Sequence, residues 1–105
     1  MKYHIKVLSE AINDIDEAFL WYELNQVGLG DKFISSIEES FEAISINPSG
    51  YIKIYREIRR ILLHNFPYGV YYLTDHKKKE ISVIGIIHFK RNPQLWKQRV
   101  KNSKL

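Results

Sequence analysis

Apolar positions along the chain follow two periodicities, which change over near its middle. Tyr3, Ile5 and Val7 alternate with His4 and Lys6, the period-two pattern of a short half-buried strand. Ile12, Ile15, Ala18, Phe19 and Tyr22 then recur at spacings of three and four, with Asp14, Asp16, Glu17 and Glu23 largely between them. That spacing predicts an amphipathic helix ending near Asn25. Ser9 stands where it can cap this helix, and Glu10 falls in its first turn, near the positive end of the helix dipole. Val27-Gly28-Leu29-Gly30 allows a sharp reversal, since glycine takes positive φ without a clash. Phe33, Ile34, Ile37, Phe41 and Ile44 make the stripe of a second helix, stopped by Asn47-Pro48-Ser49-Gly50. An αα-hairpin of this kind must lay one face on another apolar surface.

The second half supplies that surface. Tyr51 to Tyr55 reads as extended, and Ile58 to His64, Phe66 to Leu73 and Ile81 to Phe89 are rich in β-branched and aromatic residues, with Thr74 to Glu80 turning the chain between the last two. These three consecutive strands are expected to pair antiparallel. Asn92-Pro93 breaks the last of them, and Gln94 to Lys101 forms a short terminal helix displaying Trp96, Lys97, Arg99 and Lys101. The expected fold is therefore α+β in the order βααβββ, an antiparallel-dominated sheet packed against an αα-hairpin with a short C-terminal helix, in a single domain over residues 1–105.

Composition narrows the class. An apolar fraction of 45% and a charged fraction of 27% suit a globular protein, and no apolar run approaches the roughly 20 residues that span a bilayer. The N-terminus lacks the continuous apolar core of a signal peptide, so the cytoplasm is the expected location and no membrane partner is expected. Without cysteine there is no disulfide, thiolate chemistry or cysteine-ligated metal. His4, His64, His76 and His88 lack close ligand spacing, so no metal or other cofactor is expected. The net charge of +4 conceals an asymmetry: residues 1–50 carry 3 basic and 9 acidic residues, residues 51–105 carry 13 and 3. Either the halves present opposite fields to partners, or they attract one another and the field largely cancels.

Basic and strand-like residues interleave most densely from Arg59 to Trp96. Strict alternation puts Ile84, Ile86, His88 and Lys90 on one face of the last strand and Val83, Gly85, Ile87, Phe89 and Arg91 on the other, unless a bulge intervenes. Arg59 and Arg60 face opposite ways as well. Arg60 is expected outward and functional, with Arg59 paired to a helix carboxylate such as Asp14 or Glu17. Gly28-x-Gly30 lies between helices and reads as a turn, not a phosphate loop, and Lys77-Lys78-Lys79 reads as a solvated hairpin tip.

Several short motifs, in order, resemble the RelE/ParE superfamily of toxins from bacterial type II toxin–antitoxin systems. They are Asp14-Ile15-Asp16-Glu17-Ala18 with Trp21-Tyr22-Glu23, Gly28-Leu29-Gly30 with Phe33, Asn47-Pro48, Arg59-Arg60, Phe66-Pro67-Tyr68 with Val70-Tyr71-Tyr72, and His88-Phe89-Lys90-Arg91-Asn92-Pro93 with Trp96. The resemblance covers most of the chain. It implies a growth-arresting toxin whose sheet carries the αα-hairpin and whose partner is a cognate antitoxin that wraps it. An acidic extended or helical segment suits the basic, aromatic-bearing sheet and the apolar helical faces.

Family branches differ in target, and two readings follow. A ParE-like chain would inhibit DNA gyrase by protein contact, with Trp96 and Arg99 as anchors, since Trp and Arg dominate interface hot spots. A RelE-like chain would cut messenger RNA on the ribosome. Such cleavage needs a base, an acid and cations around the phosphorane, parts that Arg60, His88 and Arg91 could supply without metal. Ribonucleases of that branch place a tyrosine near the C-terminus, whereas this chain has none after Tyr72, which favours the ParE-like reading.

Overall fold

The computed structural model describes residues 2–90 and 93–102; within the last helix the side chains of Pro93, Leu95, Trp96 and Val100 lie outside the description. Strand β1 (His4–Val7) leads into helix α1 (Ser9–Asn25), helix α2 (Leu29–Ile46) and a 3-10 turn over Pro48–Gly50. Strands β2 (Lys53–Tyr55), β3 (Ile58–Leu62), β4 (Tyr68–Asp75) and β5 (Glu80–His88) follow, and α3 (Pro93–Asn102) closes the chain. Among the described residues the strands form one sheet in the order β1-β5-β4-β3-β2. All neighbouring pairs are antiparallel except β1 with β5, which runs parallel. A parallel neighbour requires a long crossover, and the intervening helices and strands provide it.

Leu8, not Ser9, occupies the cap position of α1. Its N–H donates to Val83 O across the parallel pair at 3.0 Å, holding it extended, and its own carbonyl accepts from Ile12 N. The helix therefore begins on Ser9, and its cap residue, an apolar leucine, makes no side-chain hydrogen bond. Ala11, Ala18 and Tyr22 form the buried line of α1, while Ile12, expected inside, is 47% exposed.

The two glycines between the helices do separate work. Gly28 takes φ +89°, a left-handed conformation that a side chain would resist. Gly30 sits so close to α1 that a Cβ there would lie 2.8 Å from the Phe19 ring. Glu23 locks the junction, because its carboxylate accepts from Gly28 N at 3.0 and 3.1 Å and from Gly30 N at 3.0 Å, amides at the start of α2 that have no carbonyl partner within the helix.

Phe33, Ile37 and Ile44 of α2 pack with Val70, Tyr72, Ile81, Val83 and Ile86 to form the main core between the hairpin and the sheet. A second cluster of Ile58, Tyr71, Ile84 and Ile87 lies on the opposite sheet face. The last strand changes face through a bulge: Tyr71 opposes Gly85 and Tyr72 opposes Val83, leaving Ile84 as the extra residue. Strict alternation therefore fails. Val83 and Ile86 both face the helices, and Ile84 and Ile87 face away.

Candidate functional site

The bulge decides where His88 points. Counted from Ile86, it lies on the helix-side face, opposite Tyr68, with the two rings edge-to-face at 5.2 Å. Arg60 is paired in register with Tyr71, on the far face. Its guanidinium carbon sits 5.9 Å from the Tyr71 ring centroid and 5.6 Å from that of Phe89, a cation–π arrangement. Its aliphatic stem crosses Gly69, where a Cβ would lie 2.9 Å from Arg60 Cδ. Burial pushes the Tyr71 phenol up, a shift opposed by a hydrogen bond with Arg60 and by its charge. Arg60 and His88 thus project from opposite faces of the sheet. Arg91 lies outside the described residues, as does the side chain of Trp96.

Arg59 does not pair with a helix carboxylate. Its Nη1 donates to Tyr51 O at 2.5 Å, and its charge acts on Tyr72, whose phenol burial nevertheless holds well above the usual tyrosine range. The Tyr72 hydroxyl donates to Pro48 O at 2.7 Å, tying the turn after α2 to the sheet. The carboxylate assigned to Arg59 is taken by Arg99 from α3. Arg99 Nη1 and Nη2 donate to Asp14 Oδ2 and Oδ1 at 2.8 and 3.2 Å, and Nε meets Glu10 at 2.9 Å. The bond to Asp14, foremost, holds the Arg99 guanidinium above its ordinary range, and burial opposes it.

This cluster completes the sheet edge. Strand β1 ends at Val7 beside Val83, so beyond it β5 has no strand on that edge among the described residues. Asp14 Oδ2 accepts from Ile86 N at 3.0 Å, and Ile84 O accepts from Arg99 Nη1 at 3.4 Å. An ion pair stands in for the missing strand and fastens α3 to α1. The absent side chain of Gly85 makes room, since a Cβ there would lie 3.1 Å from Arg99 Nη1. Arg99, expected as a target anchor, has a side chain only 16% exposed. The sequence carried one sign of this arrangement, a glycine inside an apolar strand.

Between α1 and the end of the sheet, Asp14, Glu17, Ala18, Trp21, Tyr68, Ile86 and His88 line an open cleft of about 280 Å³. Among the described residues no group of three His, Cys, Asp or Glu side chains is placed to hold a metal. Lys77 and Lys78 lie exposed at the β4–β5 turn, where Asp75 Oδ1 accepts from both backbone amides at 3.1 Å. No helix among the described residues is long and apolar enough to cross a membrane.

Similarity to known proteins agrees with this geometry. The fold is similar to a chromosomal ParDE toxin–antitoxin protein of P. aeruginosa, with a TM-score of 0.71, 18% identity, and coverage of 83% of this chain and 96% of that one. It is similar to a mutant E. coli toxin RelE in the free state, also at 0.71, with 14% identity and coverage of 96% and 97%. A third similar structure is the toxin–antitoxin complex RelBE2 of Mycobacterium tuberculosis, at 0.61 and 15% identity, covering 84% and 99%. No curated protein sequence matches the chain. Residues 5–93 match the family described as the ParE toxin of the type II toxin–antitoxin system parDE, and the chain belongs to that family.

Proposed function

We propose that the chain arrests growth when free of a cognate antitoxin and does so by gripping DNA gyrase, not by cutting RNA. The supporting observation is the placement of Arg60 and His88 on opposite faces of the sheet. General acid–base cleavage needs its groups within about 3 Å of the reacting atoms. The sheet between two of the three candidates supports the reading without cleavage. Membership of the ParE toxin family points the same way. In this reading α3 supplies the target contacts, and Arg99 fastens that helix to α1. Cytoplasmic residence and antitoxin capture belong to the same proposal. Captured toxin–antitoxin structures among the similar folds support the second.

The ribonuclease alternative draws its support from the fold shared with E. coli RelE over nearly the whole chain. One experiment separates them: induce the chain without antitoxin and follow pulse labels of DNA and protein synthesis. The gyrase reading expects DNA synthesis to fall first, with gyrase-dependent breaks. An immediate fall in protein synthesis with cleaved messages would overturn it.

A further inference from the structure

The turn that joins β4 to β5 presents Lys77, Lys78 and Lys79 side by side, all exposed. The fold does not cancel their charge. Ion pairs among the described residues join Lys2 to Glu42, Lys53 to Glu57, and Arg99 to Glu10 and Asp14, and none reaches a lysine of the turn. Lys6 on β1 is also exposed and makes no ion pair there. It stands on the sheet face away from the helices, because Tyr3, Ile5 and Val7, alternating with it, pack on the main core. Against these four lysines stand two carboxylates at the base of the turn, Asp75 and Glu80, and Asp75 is committed to the backbone amides of Lys77 and Lys78.

The lysines are also held in place. Lys79 takes φ +55°, a left-handed conformation that glycine or asparagine enters with less strain. Its carbonyl accepts from His4 N at 2.8 Å, and its ammonium lies 5.1 Å from the centroid of the Tyr3 ring. The Tyr3 hydroxyl is hydrogen-bonded to His76 Nδ1 at 2.8 Å, with the two rings edge-to-face. The turn is therefore fastened to β1 on one side and to Asp75 on the other. A turn that served only to be solvated would need neither.

Fixed ammonium groups on the tip of a two-stranded ribbon suit a duplex. Such a ribbon fits the major groove of DNA, about 12 Å wide, and the duplex offers one phosphate charge per about 1.7 Å of its axis. Single strands are gripped through aromatic rings on which their bases stack. Tyr3, the ring beside this turn, is already engaged by Lys79 and His76.

We propose that the β4–β5 turn is a DNA-binding element, in which Lys77, Lys78 and Lys79, with Lys6 further along β1, contact the phosphates of a duplex without reading its sequence. The site goes beyond the contact with gyrase, since it needs neither gyrase nor antitoxin.

Fluorescence anisotropy of a labelled DNA duplex of about 20 base pairs, titrated with the purified full chain, tests it. Binding should be saturable and indifferent to sequence, and should weaken about 40-fold between about 50 and 200 mM salt, as three phosphate contacts require. The double variant Lys77→Gln, Lys78→Gln should bind about tenfold more weakly at the lower salt and lower the slope of log affinity against log salt by about 1.8. Lys32→Gln with Lys53→Gln removes the same charge from α2 and β2 and should change affinity less than about twofold. Single-stranded DNA and RNA of the same length should bind at least about fivefold more weakly than the duplex. Circular dichroism checks that both double variants are folded. No saturable binding up to about 100 μM chain at the lower salt would overturn the proposal. So would an unchanged slope in the hairpin variant, equal losses in the two double variants, or tighter binding of either single strand. Antitoxin, gyrase and ribosomes are all absent, so failure here leaves the toxin reading untouched and failure of that reading leaves this result intact.

Discussion

Replacing Asp14 tests the idea that an ion pair substitutes for a strand along the open edge of β5. Asp14→Ala removes two charge-assisted hydrogen bonds to Arg99 and strands the Ile86 amide. Both side chains of the pair are only 16% exposed, so solvent screening discounts the interaction little. Removing one partner of a fully buried pair costs about 3–5 kcal/mol. Arg99 keeps Glu10 here, but that carboxylate is 68% exposed and compensates weakly. The expected loss is about 2–4 kcal/mol, which for a domain of this size lowers Tm by roughly 10 °C or more. Urea unfolding followed by circular dichroism measures it, in a cycle with Arg99→Ala and the double variant. A coupling energy of about 1.5–3 kcal/mol is expected between the two positions. Trypsin should also cut after Lys97 faster in Asp14→Ala, because α3 loses its fastening. Coupling below about 0.5 kcal/mol, or unchanged cleavage, would refute the reasoning.

Other outcomes follow from the same structure. Glu23→Gln should cost about 1–2 kcal/mol by urea unfolding, since a neutral amide caps the amides of Gly28 and Gly30 less well than a carboxylate. Gly30→Ala should cost about 1–3 kcal/mol in the same assay, its new methyl being driven into the Phe19 ring and the Glu23 carboxylate. Burial raises both the Tyr71 and Tyr72 phenols, so the unfolded chain loses these protons first. Their contribution is complete below the ordinary tyrosine range near pH ~10 and falls as pH rises beyond it, with Tyr72→Phe flattening the decline in unfolding free energy between about pH 10 and 12.

Most of the fold was legible because its elements announce themselves locally. The helix stripes, the Gly28 turn and the alternating strands each follow from a repeat of two or three to four residues. Strand ends moved by a residue or two, β4 running on to Asp75 and β3 stopping at Leu62. The bulge at Ile84 was not legible, because an extra residue in an apolar run leaves no polar position out of place. That one residue sets the face of His88 and with it the reading of the site. The ion pair of Arg99 was not legible for a related reason. Its partner Asp14 lies 85 positions away, and only the parallel docking of β1 on β5 brings α1 to the edge that α3 crosses. Ile12 shows the limit of periodicity itself, which marks an apolar side chain without saying whether anything covers it.

Supercoiling by purified DNA gyrase, titrated with the wild-type chain and with His88→Ala, tests the proposed contact mechanism most directly. Inhibition by both proteins at equal concentrations is expected. No inhibition by either, together with ribosome-dependent message cleavage that His88→Ala abolishes, would contradict it.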